Sequence, residues 1–149
     1  MKMKRTLAVM LCIAALVGVC CGCSAARGGM QDGYYTAEMA EYSNGWKEFV
    51  TLHIEGGTII SVEYNAKNAS GFIKSWDMAY MRRMNGVAGT YPNYFTRAYA
   101  RQVLEKQSGT ADDIDTVAGA TSSGGSFRQL VAAVLELARA GKNELAIVA

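Results

Sequence analysis

The sequence predicts a single α+β domain, a small antiparallel sheet packed with about three helices. Two runs with alternating apolar residues meet at Glu55-Gly56-Gly57, a hairpin signal. A Tyr-rich run precedes them, and three later segments carry apolar residues at helical spacing.

Asp32-Gly33 turns into Tyr34-Tyr35-Thr36-Ala37-Glu38-Met39, rich in strand formers and read as the first strand. Tyr42-Ser43-Asn44-Gly45 breaks it. Trp46 to Ile54 reads as a second strand, with Val50, Leu52 and Ile54 on one face and Phe49, Thr51 and His53 on the other. Thr58 to Tyr64 returns, with Ile60, Val62 and Tyr64 alternating. Asn65 to Lys74 is polar and irregular. Ser75 is placed to cap a helix running to about Met84, with Trp76, Ala79, Tyr80 and Met84 near helical spacing. The Met78, Met81, Met84 run reads as core filler. Asn85 to Gly89 ends that helix.

Thr90-Tyr91-Pro92-Asn93 opens the next, with the only proline in its first turn, where a missing N–H costs nothing. Phe95, Ala98, Tyr99 and Val103 form its stripe, which ends near Gln107-Ser108-Gly109. Asp112-Asp113-Ile114-Asp115 is acidic and turn-like, with Ile114 and Val117 as anchors. From Ser126, residues Phe127, Leu130, Val131, Val134 and Ala138 define the strongest amphipathic helix, with Gly141 at its C′ position. Leu145 to Val148 is apolar and fits either an edge strand or a frayed end.

The N-terminus is a leader. Met1 to Arg5 is charged and Thr6 to Val19 is apolar, too short to span a bilayer as a mature helix. All four cysteines (Cys12, Cys20, Cys21 and Cys23) lie in or beside it, so the folded part has no thiol for disulfides or catalysis. A cysteine after a small residue at this point resembles a bacterial lipoprotein signal. Cys23 after Gly22 fits best as the lipidated residue; the alternative is ordinary cleavage near Ala25 or Ala26. The expected organisation is a leader over 1–23, a spacer over 24–31, a domain over 32–141 and a tail over 142–149. Of 15 basic residues, Lys2, Lys4 and Arg5 belong to the leader, which leaves 12 against 13 acidic ones. Such a balance gives no basic patch for nucleic acid.

Several chemistries find little support in the pattern. The single His53 has no second histidine to chelate with, and no G-x-S-x-G, Walker loop, dinucleotide fingerprint or EF-hand spacing occurs. The remaining candidate is Asp115-Thr116-Val117-Ala118-Gly119-Ala120-Thr121-Ser122-Ser123-Gly124-Gly125-Ser126. These small and hydroxylic residues precede a helix, where free N–H groups and the macrodipole favour an anion. A structural N-cap after a glycine turn is the plainer reading of the same residues.

Asp115-x-x-Ala118-Gly119-Ala120-Thr121-x-Ser123 resembles the flavinylation motif of the FMN-binding domain family. That domain also occurs in the peripheral flavin subunits of the Na⁺-pumping quinone reductase and of Rnf-type complexes. Further segments recur in order: Gly45-Trp46-Lys47, the Gly-Gly hairpin, Ser75-Trp76-Asp77-Met78, Gly89-Thr90-Tyr91-Pro92 and Glu105-Lys106-Gln107. With the leader, they are similar to small FMN-binding lipoproteins of Gram-positive bacteria, and the resemblance covers about Asp32 to Gly141.

The resemblance implies FMN joined by a phosphoester to Thr121, installed by a flavin transferase from FAD. Gly119 and Ala120 match the motif's small pair and Asp115 its leading acid, and N–H groups of the turn from Ser122 through Ser123 to Ser126 are expected to stabilise the phosphate charge. Ala118 departs from the usual Ser or Thr. Gly119, Gly124 and Gly125 are expected to let backbone approach the phosphate, and Trp46, Trp76, Tyr91 and Tyr94 are candidates to face the ring. It further implies a carrier rather than a stand-alone enzyme, lipid-anchored on the extracytoplasmic face. Its redox partner would be a quinone-linked dehydrogenase or a reductase, and its FMN site shallow. The rival expectation is a non-redox surface lipoprotein that keeps the fold without flavin.

Overall fold

The computed structural model describes residues 29–107 and 110–149. The leader, Cys23 and most of the spacer lie outside the described residues. One four-stranded sheet is built from β1 (Gly33–Met39), β2 (Lys47–Glu55), β3 (Thr58–Lys67) and β4 (Leu145–Val148), in the order β3-β2-β1-β4. Three helices accompany it: α1 (Met78–Ala88), α2 (Pro92–Lys106) and α3 (Thr121–Ala140). The fold is α+β, as expected, with one difference. β1, β2 and β3 are antiparallel neighbours, but β4 pairs parallel with β1, so the sheet is mixed. A parallel partner needs a long crossover, and the chain between β1 and β4, with its helices, supplies it.

The turns follow from local chemistry. Asn44 and Gly45 take positive φ of 50° and 82° between paired Ser43 and Trp46, a two-residue hairpin loop. Gly56 and Gly57 do the same between β2 and β3. There the Asp32 carboxylate accepts the Gly57 N–H at 3.0 Å, and this bond holds its pKa below the usual carboxylate value.

Val50, Leu52 and Ile54 face inward as the alternation predicts. The returning strand differs. Ile59 is buried and Ile60 exposed, because a bulge places Ile59 opposite Ile54 and Ser61 opposite His53, leaving Ile60 as the extra residue. Beyond it, Val62 and Tyr64 return to the inner register, and β3 continues through Lys67, into the stretch read as irregular.

Helix starts also moved. Asp77, not Ser75, caps α1, accepting the Tyr80 N–H at 2.8 Å; Lys74–Trp76 form a short 3₁₀ turn ahead of it. Of the methionine run, Met81 is buried, Met84 partly so and Met78 exposed. Pro92 takes the first position of α2, and Gly141 closes α3 at φ 65°. The core lies between the inner sheet face and the two longer helices, with Tyr35, Tyr64, Phe95, Tyr99, Phe127, Leu130 and Val134 fully enclosed. Tyr99 and Phe127 contact at 5.2 Å between ring centroids and seal the end of that core beneath the loop before α3.

Candidate functional site

The loop 113–120 has no strand ladder, so its backbone groups need other partners. Three side chains of α2 at helical spacing supply them. Gln102 accepts the Asp115 N–H at 2.7 Å and donates to its carbonyl at 3.1 Å. The Tyr99 hydroxyl accepts the Val117 N–H at 3.0 Å, and the Lys106 ammonium donates to the Asp113 carbonyl. From α3, Arg128 donates to the Ile114 carbonyl through two nitrogens and to the Thr116 hydroxyl at 3.0 Å. Side-chain bonds from two helices therefore hold the loop in one shape.

The loop delivers Thr121 to the first position of α3, exposed at the surface. The first helical bond runs from the Gly124 N–H to the Ala120 carbonyl at 2.9 Å. The N–H groups of Thr121, Ser122 and Ser123 thus precede the ladder and have no intrahelical acceptor. The N-cap position belongs to Ala120, which has no side-chain acceptor, and the first turn contains no acidic residue. Ser, Thr, Asp or Asn there would stabilise the helix by about 1 kcal/mol. The start of this helix is left open.

A concavity of about 240 Å³ lies against that opening. Gly119, Ala120, Thr121, Ser122, Ser123 and Ser126 form one wall. Ser43, Asn44, Trp46 and Glu48 form another, and Lys74, Tyr80, Met84 and Phe95 complete it. Ser123 donates to the Glu48 carboxylate at 2.9 Å, while Tyr64 donates to the Ser123 carbonyl at 2.8 Å. Burial, and secondarily the charge of Glu48, pushes the Tyr64 pKa well above the usual phenol value. Among the described residues, the Thr121 and Ser122 hydroxyls make no hydrogen bond.

Five of the six residues singled out from the sequence meet here; the sixth does not. The Asp115 side chain is 87% exposed, ion-paired to Lys106 at 3.3 Å, and outside the concavity. Of the four aromatic candidates only Trp46 lines it. Trp76 packs edge-on against Phe72, and Tyr91 and Tyr94 border a separate groove with Arg97 and Arg101.

The glycines also have other reasons. A Cβ at Gly119, where φ is 75°, would sit 2.5 Å from the Ala88 carbonyl oxygen, and one at Gly124 would sit 2.4 Å from the Tyr99 hydroxyl. Gly125 faces open space. Close packing within the protein requires the first two.

Glu48, Lys74 and Tyr80 escaped the sequence reading. For Glu48 a signal existed: in the register of Trp46, Val50 and Leu52 it is a carboxylate where alternation calls for an apolar residue. Among the described residues no helix is long and apolar enough to cross a membrane, and no group of three or more His, Cys, Asp or Glu is placed to hold a metal.

Fold and site together define a small single-domain α+β protein with an open helix N-terminus facing a shallow, aromatic-walled concavity. No family model matches the chain. It is 37% identical over 138 residues to the 15 kDa lipoprotein of Treponema pallidum, covering 92% of this chain and 93% of that one. The chain belongs to the small lipoprotein family that includes this protein. A crystal structure of a Clostridium perfringens protein is also similar, at 35% identity and a TM-score of 0.74, over 80% of this chain and 97% of that one.

Proposed function

We propose that the domain carries FMN through a phosphoester to Thr121 and passes electrons between redox partners. One observation carries the reading. The threonine of the Asp-x-x-Ala-Gly-Ala-Thr motif opens α3 at an uncapped N-terminus, inside a concavity walled by Trp46 and Tyr80. Residues present fit the group. The free N–H groups of Thr121, Ser122 and Ser123 suit a phosphodiester charge, and the exposed Thr121 hydroxyl is within reach of a modifying enzyme.

When bound, FMN supplies the one- and two-electron chemistry; the protein supplies attachment, exposure and electrostatics. Thr121 Oγ1 is a weak nucleophile, and no base is hydrogen-bonded to it among the described residues. Activation therefore belongs to the flavin transferase. The Tyr99, Gln102 and Arg128 clamp presents the loop in a fixed shape, and Asp115 stands outward for that enzyme to read. At about 240 Å³ the concavity is smaller than the pockets of about 300–1,000 Å³ that bury a small molecule. A nucleotide seated there keeps an edge in solvent, as exchange with a partner requires. Lipidation at Cys23 would hold the domain on the extracytoplasmic face of the membrane, where an attached cofactor is not lost by dilution.

Coexpression with a flavin transferase tests the proposal by intact mass. A gain of one FMN less one water, abolished by Thr121→Ala, is expected. An unmodified chain beside a modified control target sinks it. Ala118 favours the second reading, a surface lipoprotein without flavin, because the motif's usual hydroxyl is missing there.

A further inference from the structure

The aromatic wall of the concavity carries a lysine that no carboxylate pairs with among the described residues. The Lys74 ammonium lies 5.1 Å from the Tyr80 ring centroid and 5.9 Å from that of Trp46. Arg83 approaches the same Tyr80 ring at 5.4 Å. Among the described residues no carboxylate lies within ion-pair distance of Lys74, although it is half-buried. Glu48, the one carboxylate lining the concavity, accepts from the Ser123 hydroxyl, which leaves its negative charge in place beyond ion-pair distance of Lys74. Ring faces attract a cation, but only by about 0.5–2 kcal/mol, and they leave its charge in place.

Two positive features therefore face one cavity beside the single Glu48 charge, and they stand at different walls. The open start of α3 meets charge at Thr121, where a phosphate would sit. Lys74 stands on Trp46 and Tyr80, the flat surfaces against which an isoalloxazine would lie. We propose that Lys74 is the counter-charge for the reduced ring, a residue that raises the reduction potential of the bound flavin. The inference rests on the FMN reading above. Reduction by two electrons from a redox partner with uptake of one proton leaves one net negative charge on the ring system. An ammonium beside it in a partly desolvated site favours that form over the neutral oxidised one.

The test uses the full chain, flavinylated by coexpressed transferase, as wild type, Lys74→Met and Lys74→Arg. Intact mass first counts the FMN on each, and thermal melting checks that each is folded. The midpoint potential is then measured by equilibration with reference dyes at pH 7. Lys74→Met is expected to weaken the reduced form about tenfold relative to the oxidised, about 30 mV more negative for a two-electron couple. Lys74→Arg is expected to stay near wild type. A loaded Lys74→Met protein with an unchanged potential overturns the inference and leaves FMN attachment standing. Failure of Lys74→Met alone to accept FMN assigns the lysine to attachment instead and also overturns it. A wild-type chain that takes no FMN removes both proposals together.

Discussion

The Tyr99 hydroxyl donates to the Ala120 carbonyl at 3.1 Å, joining the middle of α2 to the residue immediately before Thr121. The same oxygen accepts the Val117 N–H, so one phenol spans the loop from its anchor to its end. Fixing a loop through its backbone makes the position of Thr121 independent of the exposed side chains around it.

Tyr99→Phe keeps the buried ring and removes both bonds. The Ala120 carbonyl retains the Gly124 N–H, but the Val117 N–H loses its partner. A loss of about 1–2 kcal/mol is expected in denaturant titration. Amide exchange should quicken at Val117 and not in the sheet. On the proposed reading, flavinylation by a transferase should also slow relative to wild type, since the loop is no longer held in one conformation.

Two glycines six positions apart should respond in opposite directions. Gly119→Ala forces an L residue to φ 75° and drives a Cβ into the Ala88 carbonyl oxygen and Thr90. The dihedral alone costs about 1–3 kcal/mol, so a large drop in melting temperature is expected. Gly125 sits within α3 with open space around its Cα, and Gly125→Ala should add roughly 0.5–1 kcal/mol. Thermal melts of the two variants decide whether packing, rather than approach to a ligand, explains these residues.

Legibility in the sequence tracked how local each determinant is. The core faces of β2 and α3 were readable because burial follows a strict period in Val50, Leu52 and Ile54 and in Phe127, Leu130, Val131 and Val134. Ile59 and Ile60 were not, because a bulge is a relation between two strands. The start of α3 was hidden for a related reason. Ser122-Ser123-Gly124-Gly125-Ser126 has poor helix propensity, and Gly124 packing under Tyr99 overrides it. Leu145 to Val148 gained its role only from a neighbour 109 residues earlier, where Thr36 pairs with Leu145. At the site, the loop was visible as a motif, while Lys74 and Tyr80 reach it through tertiary placement that no spacing encodes.

Tyr64 should set part of the alkaline limit. Its phenol is buried and its pKa is raised, so the folded state holds the proton above pH 10, where the unfolded chain, with a pKa of about 10, releases it. Stability from this group is complete below that pH and is lost progressively as pH rises from there towards the folded pKa. Melting temperatures from pH 8 to 11 should fall more steeply above pH 10 in wild type than in Tyr64→Phe. At neutral pH the variant should be the weaker protein, having lost the bond to the Ser123 carbonyl.

The two tryptophans offer the sharpest separation between site and surface. Trp46 lines the concavity with Thr121, half-buried and edge-on to Tyr80 at 6.3 Å. Trp76 is 64% exposed against Phe72 and lines no part of it. On the proposed attachment, a flavin at Thr121 would share the concavity with the first ring and not with the second. Stacked indole quenches flavin emission by short-range electron transfer, which contact with Trp46 permits and separation from Trp76 does not. Trp46→Phe in the flavinylated protein is therefore expected to brighten flavin fluorescence several-fold, whereas Trp76→Phe should leave it within error of wild type. Equal brightening in both variants, or in neither, would place the ring elsewhere on the surface, even with the phosphoester at Thr121 intact by mass.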